Sequence, residues 1–369
     1  MAGIYVHVPF CKQKCTYCDF ASFPKEIGKT ESYFACLYRE TEGRAKQLDN
    51  KVFDTIYIGG GTPSVVDAKF IAGEIRQIKK HFKLVKNPEI TIEINPGTLT
   101  PEKVKEYKSV GINRFSIGLQ TGFDDQLKRL NRIHTAKEFL LCCNMLKGEN
   151  KSADILIGLA NQTAEQVKKS IDLALAGEVS HISVYALTPE VGTPIYTDYL
   201  NGELLSDDEV ADIYDEIVVY LKEKGFDRYE VSNFAKAGFE SKHNLNYWMR
   251  GEYIGLGVSA SSFMDGKRFT NTFKIDEYLN AVIYNKSPEV SIDVIEGDDA
   301  KFEKIMLALR TTYGLNKEEF NKEFNANFDK EYKEVLNEKA QFLENSEKML
   351  KIKDEYLYVQ NDIILAFMK

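Results

Sequence analysis

Short apolar runs rich in β-branched residues alternate with helical patterns through the first half of the chain. This alternation predicts an α/β fold in which parallel strands are joined by crossover helices. The predicted strands are Ile4–Val8, Thr55–Ile58, Ile90–Ile94, Arg114–Leu119, Asp154–Leu159 and His181–Leu187. The clearest helices are Ala68–Phe82, Pro101–Ser109, Ala136–Lys147 and Ala164–Ala176, and polar starters precede them at Asp67, Thr100, Thr135 and Thr163. Functional residues of such a sheet are expected at the carboxyl ends of its strands.

Three cysteines follow the first predicted strand at C-x3-C-x2-C spacing: Cys11, Cys15 and Cys18. Three thiolates this close together can face one point, and a [4Fe–4S] cluster bound by three cysteines keeps one iron open for another ligand. Structural zinc is the main alternative. A closed zinc site needs a fourth Cys or His, however, and the nearest one, His7, lies inside the strand pattern. The motif therefore predicts an iron–sulfur cluster.

Composition narrows the class of protein. The chain has 369 residues and a net charge of −8, which argues against a nucleic-acid partner bound by bulk electrostatics. It shows no signal-peptide pattern and no apolar run of about 20 residues that would span a bilayer, so we expect a cytoplasmic protein. In a reducing compartment the remaining cysteines, Cys36, Cys142 and Cys143, are expected to be buried free thiols.

A glycine triplet, Gly59-Gly60-Gly61, leaves the second predicted strand and is followed by Thr62 and Pro63. Without Cβ atoms the backbone can approach a ligand closely, so we interpret the triplet as a ligand-binding loop. A dinucleotide-binding fingerprint is disfavoured, because Pro63 interrupts the G-x-G-x-x-G pattern and the helix start that the fingerprint needs.

Four polar residues lie at or just beyond the predicted strand ends: Glu93, Gln120, Arg132 and Asp154. Together they are suited to bind an amino group, a carboxylate and a ribose. A carboxylate such as Glu93 in an apolar strand needs a ligand or a neighbouring cation, because an unpaired buried charge is costly. Structural pairing of Arg132 with Asp154 remains the alternative at this point.

The second half of the chain is expected to add a helix over Asp207–Lys224 and a strand over Arg228–Phe234, with a boundary near residue 290. We divide the chain into 1–235, a connecting segment 236–295 and a C-terminal unit 296–369. The C-terminal unit should have helices from about Asp298, Asn316 and Asp329, followed by a hairpin of 351–353 with 356–359. This pattern resembles a winged helix. Its acidic excess favours a lid for a protein or cofactor over DNA binding.

The only tryptophan belongs to Lys242-His-Asn-Leu-Asn-Tyr-Trp248. On a helix, His243 and Tyr247 would share one face, and Asn244 and Trp248 would share another. An imidazole beside large aromatic rings can ligate a haem iron and pack on the porphyrin. A hydrogen-bonded histidine in a packed helix is the alternative that the chemistry alone favours.

These motifs together resemble the radical S-adenosylmethionine superfamily. More narrowly, they resemble the oxygen-independent coproporphyrinogen III oxidase group over nearly the whole chain. The matching segments are Tyr5-Val-His-Val-Pro-Phe-Cys11, Ile58-Gly-Gly-Gly-Thr-Pro-Ser64, Ile94-Asn-Pro96, Ser116-Ile-Gly-Leu-Gln120 and Leu130-Asn-Arg-Ile-His134. One departure is local: Ala160 stands where the family usually has proline after Gly-Leu. The resemblance implies a partial (β/α)6 barrel with a smaller C-terminal helical, winged-helix-like domain.

The resemblance also implies roles for single residues. Cys11, Cys15 and Cys18 would ligate a [4Fe–4S] cluster, and S-adenosylmethionine would chelate its fourth iron. The positions that surround S-adenosylmethionine in the family correspond to Tyr5, the Tyr17 backbone, Gly60, Gly61, Thr62, Glu93, Gln120, Arg132, Asp154 and Ala186. His243, Asn244, Tyr247 and Trp248 match the haem-binding signature of one branch, with His243 as the iron ligand.

Within the group, the sequence favours the branch of HemW-type haem chaperones over the dehydrogenases that decarboxylate coproporphyrinogen III. The dehydrogenase pattern has a further cysteine where this chain has Phe20, and a longer segment before the first strand. The expected function is therefore haem binding and delivery to haem-requiring respiratory proteins, at the inner face of the membrane, with the cluster regulatory or structural. The radical dehydrogenase is the alternative. A homodimer is an open alternative to a monomer.

Overall fold

The computed structural model describes residues 1–48 and 50–369. Its main sheet is built, in chain order, from β1 Ala2–Val8, β2 Val52–Gly60, β3 Lys83–Ile94, β4 Arg114–Gln120, β5 Asn150–Ile157, β6 His181–Ala186, β7 Asp227–Arg228, β8 Asn233–Ala235, β9 Glu252–Leu256, β10 Ser261–Met264, β11 Lys267–Asn271 and β12 Glu289–Val294. The spatial order is β12-β11-β10-β9-β1-β2-β3-β4-β5-β6-β8-β7. The strands β1 to β6 are parallel neighbours in chain order, so the expected six-stranded partial barrel is confirmed.

Ten helices in the described residues accompany this sheet: α1 Thr30–Gln47, α2 Ala68–His81, α3 Pro101–Ser109, α4 Asp124–Arg129, α5 Ala136–Met145, α6 Ala164–Ala176, α7 Ile195–Leu200, α8 Asp207–Glu223, α9 Lys242–Trp248 and α10 Ile275–Ile283. The predicted starters are real N-caps. Thr135 and Thr163 each form a reciprocal capping box with the residue three positions on, which satisfies backbone N–H groups that the first helical turn leaves unpaired. These caps fix where the chain leaves each strand end and enters its helix.

The segment 236–295, which was expected to connect two domains, instead extends the main sheet. Its first strand, β9, pairs in parallel with β1, and β10 to β12 continue outward in antiparallel pairs. The helix α9, with the His-Asn-x-x-Tyr-Trp sequence, is thereby held beside β1 and β2. The expected single strand Arg228–Phe234 is also wrong: it divides into β7 and β8, because the buried Glu230 carboxylate accepts the Ser232 backbone N–H and stabilises a turn.

The C-terminal unit has its own apolar core, which includes Leu309, Phe320 and Leu350. Its elements are α11 Gly297–Ala308, β13 Leu315–Asn316, α12 Lys317–Phe324, α13 Phe328–Glu331, α14 Lys333–Glu338, β14 Leu343–Asn345, β15 Met349–Ile352 and α15 Asn361–Leu365. The predicted pairing of this strand with 356–359 is wrong: β15 pairs instead with β14, the antiparallel strand that precedes it in the chain. A 3-10 turn at Asp354–Tyr356 directs Leu357 into the core of the unit. In the ranges 1–48 and 50–369, no helix is both long and apolar enough to cross a membrane.

Candidate functional site

Two adjacent cavities open at the carboxyl ends of the parallel strands. The larger has a volume of about 930 Å³ and the smaller a volume of about 570 Å³. Both fall in the size range of small-molecule sites, about 300–1,000 Å³. Six residues line both cavities, so the two share a wall: Lys14, Asp19, Phe20, Ser22, Gly60 and Glu93.

All three cysteines of the motif line the smaller cavity. The hydroxyl of Thr62 donates to the Sγ of Cys11 at 3.4 Å, and the Arg132 guanidinium donates to the Sγ of Cys15 at 3.5 Å. Burial raises the pKa of the Cys11 and Cys18 thiols, and the neighbouring cysteines raise it further. A bound metal removes the protons from such thiols and neutralises the repulsion between the thiolates.

The donor set fits an iron–sulfur cluster better than a single ion. In the described part of the chain, no three His, Cys, Asp or Glu side chains converge closely enough to hold one metal ion. A cube of four irons holds its thiolates farther apart than one zinc ion does, so three separated sulfurs around a common cavity suit the cluster. His7 is not a fourth ligand here, because its Nε2 lies 2.8 Å from the Ala21 carbonyl oxygen.

The glycine loop is packed so tightly that side chains would not fit. A Cβ at Gly59 would lie 2.8 Å from a carboxylate oxygen of Glu93, and one at Gly61 would lie 3.0 Å from the Cys11 sulfur. Gly60 has a φ of +112°, and a Cβ there would lie 2.6 Å from the His7 ring. The triplet therefore brings backbone to the cavity wall between the cysteine loop and β3.

Two carboxylates face the smaller cavity, Glu93 from β3 and Asp154 from β5, the two strands on either side of β4. Glu93 accepts hydrogen bonds from the Tyr57 hydroxyl at 3.0 Å and from the Gly60 N–H at 3.2 Å. Burial and the nearby Asp154 raise the pKa of Glu93 to about 7 despite these bonds. Burial also raises the pKa of Asp154. A cationic ligand in this cavity would stabilise both carboxylates in their charged form.

The other residues expected around S-adenosylmethionine divide between the two cavities. Tyr17, Gln120, Arg132 and Ala186 line the smaller one, whereas Tyr5 lines the larger one. Gln120 has a φ of 68°, a left-handed conformation that non-glycine residues rarely adopt away from turns and functional sites. Arg132 donates to the Gly118 carbonyl at 2.9 Å and does not form an ion pair with Asp154. The structural pairing considered for these two residues is therefore absent.

The helix predicted around His243 is present as α9, and His243 and Tyr247 share a face as expected. The His243 ring is buried, with Nδ1 2.7 Å from the Thr55 hydroxyl and Nε2 2.9 Å from the Tyr247 hydroxyl. Burial lowers its pKa to about 3, so the ring is neutral. Tyr247 lines the larger cavity; His243, Asn244 and Trp248 do not.

Sequence reasoning missed the far wall of the larger cavity. The guanidinium carbons of Arg250 and Arg268 lie 4.8 Å and 5.4 Å from the centre of the Phe263 ring. The Glu303 carboxylate, on α11, accepts a hydrogen bond from each of the two arginines. These residues come from the loop after α9, from β10 and β11, and from the C-terminal unit, so no local motif could have linked them.

Comparison with known families agrees with this architecture. The family model of the radical SAM superfamily matches residues 5–174, and the model of the HemN C-terminal domain matches residues 295–360. A solved structure described as coproporphyrinogen III oxidase (HemN) from Escherichia coli superposes with a TM-score of 0.88, covering 100% of this chain and 90% of that chain at 19% identity. The partial barrel and the three-cysteine loop at its strand ends thus define a protein of the radical SAM superfamily.

Curated relatives narrow the class. The chain is 31% identical to the haem chaperone HemW of Bacillus subtilis (strain 168), with 100% of this chain and 99% of that protein covered. It is 33% identical to HemW of Lactococcus lactis subsp. lactis (strain IL1403), covering 99% and 96%. It is 32% identical to HemW of Escherichia coli (strain K12), covering 86% and 85%. The chain belongs to the HemW family of haem chaperones.

Proposed function

We propose that this protein is a haem chaperone that binds haem in the larger cavity and holds a [4Fe–4S] cluster with S-adenosylmethionine in the smaller one. The observation that carries the proposal is the wall that the two cavities share, because it brings a porphyrin-sized space next to the three cysteines. Membership of the HemW family supports the choice of haem as cargo.

The larger cavity has the chemistry that a porphyrin needs. Tyr247, Tyr253 and Phe263 offer aromatic surface, and Arg250 and Arg268 offer cations near it. Two further rings at the cavity are strongly exposed, with Phe20 at 69% and Phe273 at 60%. Covering such rings with a flat apolar ligand removes their surface from water and favours binding by about 25 cal/mol per Å² of apolar area buried.

His243 is the proposed iron ligand. Its Nε2 faces the hydroxyl of Tyr247, which itself lines the cavity. Rotation of the Tyr247 side chain would expose the lone pair of Nε2 to the iron. The hydrogen bond between Thr55 and Nδ1 would be retained and would keep the ring in place. A neutral imidazole is the form that ligates iron, and the buried ring is already neutral.

In the smaller cavity, Cys11, Cys15 and Cys18 would hold the cluster, and Glu93 and Asp154 would attract the cationic S-adenosylmethionine. When bound and reduced, such a cluster supplies an electron to its ligand. The residues of this chain would position the ligand: Gly60 and Gly61 allow close approach of the backbone, and Tyr17, Thr62, Gln120, Arg132 and Ala186 contribute other parts of the wall. We propose that cluster and cofactor regulate or structurally support haem delivery to respiratory proteins at the inner face of the membrane.

The alternative function is decarboxylation of coproporphyrinogen III. Phe20 disfavours it, since an exposed phenyl ring on the shared wall replaces the additional cysteine of the dehydrogenases. The test incubates the protein, with cluster reconstituted, with reductant, S-adenosylmethionine and coproporphyrinogen III. Porphyrinogen decarboxylation coupled to methionine release would contradict the chaperone proposal. We expect no decarboxylation.

The place of binding is tested by filling the larger cavity. Ser261 lines it on β10, so Ser261→Trp should weaken haemin binding at least tenfold in a Soret titration. Ser287→Trp, at an exposed position outside this cavity, is the matched control and should bind like the parent protein. Unchanged thermal unfolding of both variants shows that they are folded. Equal haemin affinity of Ser261→Trp and the parent would place haem elsewhere.

A further inference from the structure

Two arginines of the larger cavity share one carboxylate from the C-terminal unit. Arg250 Nε donates to Glu303 Oε2 at 2.9 Å, and Arg268 donates to Glu303 Oε1 at 2.6 Å. The Glu303 side chain is only 12% exposed. Both carboxylate oxygens thus accept a charge-assisted hydrogen bond, one from each guanidinium.

The charges around this contact do not cancel. Arg250 also bonds to Glu323 on α12 at 3.1 Å, and Lys304 lies 3.3 Å from the same carboxylate. Of these residues, Arg250, Arg268 and Glu303 line the cavity, so two guanidiniums face a single carboxylate there. The Phe263 ring under both guanidiniums limits their hydration from one side. A ligand that brings its own carboxylate to these two arginines would therefore be attracted to the site.

We propose that Arg250 and Arg268 form the subsite for a propionate of the porphyrin, and that Glu303 occupies this subsite until haem enters. The inference rests on the proposed binding of haem in this cavity. A propionate carries the same carboxylate group as Glu303, so the incoming cargo can take over its hydrogen bonds without leaving either arginine unpaired.

The exchange has a consequence for the C-terminal unit. Glu303 lies on α11, whereas Arg250 and Arg268 lie in the part of the chain that extends the main sheet. When a propionate displaces Glu303, α11 loses a contact to the barrel, and the charged Glu303 side chain must move toward water. Haem binding is thereby coupled to loosening of α11, which offers a recipient protein a signal that the chaperone is loaded.

The first test compares haemin with haemin dimethyl ester, which lacks both carboxylates, on the full-length protein. We expect at least tenfold tighter binding of haemin than of the ester, and Arg268→Ala should reduce this ratio to about one. Arg76→Ala, whose arginine pairs with Glu106 away from the cavity, is the control and should retain the ratio. Equal binding of haemin and ester overturns the propionate subsite alone. Binding of neither ligand contradicts the haem proposal itself.

The second test examines the competing carboxylate. Glu303→Gln should bind haemin several-fold more tightly than the parent and leave ester binding unchanged, because a neutral amide competes poorly for two guanidiniums. Glu323→Gln, which alters the same Arg250 but not the cavity lining, should have a smaller effect. Haemin should also increase amide hydrogen exchange in 297–308 of the parent protein. Weaker haemin binding by Glu303→Gln, or unchanged exchange in α11, overturns the displacement.

Discussion

Nδ1 of His243 lies 2.7 Å from the hydroxyl oxygen of Thr55, across the interface between α9 and β2. The ring stacks on Tyr57 at a centroid distance of 5.1 Å, and a Cβ on Gly3 would lie 2.9 Å from its Cε1 atom. The imidazole is therefore held against the sheet on one side, and only the edge that carries Nε2 faces Tyr247. If His243 is the iron ligand, as proposed, Tyr247 would be the gate between its ring and the cavity.

Removal of the gating hydroxyl should assist iron ligation. In Tyr247→Phe the ring is kept, but Nε2 no longer has its hydrogen bond, so we expect haemin affinity to rise a few-fold and the spectrum of a histidine-ligated haem to be retained. A net hydrogen bond contributes about 1 kcal/mol, which sets the scale of the effect. Soret titration measures it, with Tyr284→Phe, an exposed tyrosine, as the control.

His243→Ala completes this experiment. The ligand assignment predicts that this variant loses the histidine-ligated spectrum in both the parent and the Tyr247→Phe background. A spectrum that is unchanged by His243→Ala would remove His243 as the ligand, even if haem binding itself persists.

The three cysteines of the loop should be individually necessary for the cluster. Cys11→Ser, Cys15→Ser and Cys18→Ser each remove one thiolate from the smaller cavity, so we expect most bound iron and sulfide to be lost after anaerobic reconstitution. Cys142→Ser is the control, because this thiol is buried on helix α5 and does not line the cavity. Full iron content in any of the three loop variants would contradict the assigned ligand set.

The sequence predicted features that depend on local chemistry. The capping boxes at Thr135 and Thr163 and the close approach of the backbone at Gly61 each follow from residues near one another in the chain. The contact of Glu303 with Arg268 could not be predicted in this way, because pairing across 35 positions depends on how two units pack. The hairpin error near 356–359 has a similar cause: alternation alone does not show that the core of the C-terminal unit recruits Leu357.

Binding of S-adenosylmethionine should depend on the ionisation of Glu93. The pKa of this carboxyl group is raised to about 7, mainly by burial, so its negative charge is lost as the pH falls below 7. A sulfonium ligand is attracted only to the charged form, and we therefore expect affinity to fall severalfold from pH 8 to pH 6. Calorimetry on the reconstituted protein measures this change.

Glu93→Gln should bind S-adenosylmethionine weakly at both pH values, with a smaller dependence on pH. Glu106→Gln, on the outer helix α3, controls for a general change in charge. An unchanged pH dependence in Glu93→Gln would show that another group controls binding.

Stability should fall as the pH rises through the range in which buried Glu74 ionises. Glu74 is 1% exposed; one oxygen accepts from the Thr41 hydroxyl at 2.6 Å, and the other has no partner among the described residues. Burial raises its pKa from 4.5 to about 8. Below pH 4.5 both the folded and the unfolded carboxyl are protonated; above it the unfolded state releases its proton first, so the free energy of unfolding declines until about pH 8.

The full loss amounts to roughly 5 kcal/mol, at about 1.4 kcal/mol per unit of pKa. Glu74→Gln cannot ionise, and its free energy of unfolding in urea should therefore fall less than that of the parent between pH 5 and pH 8. Other buried groups titrate in the same range, but the difference between parent and variant isolates Glu74. Glu106→Gln should follow the parent curve. Parallel curves for Glu74→Gln and the parent would mean that Glu74 is charged in the folded protein, with Thr41 and water stabilising it.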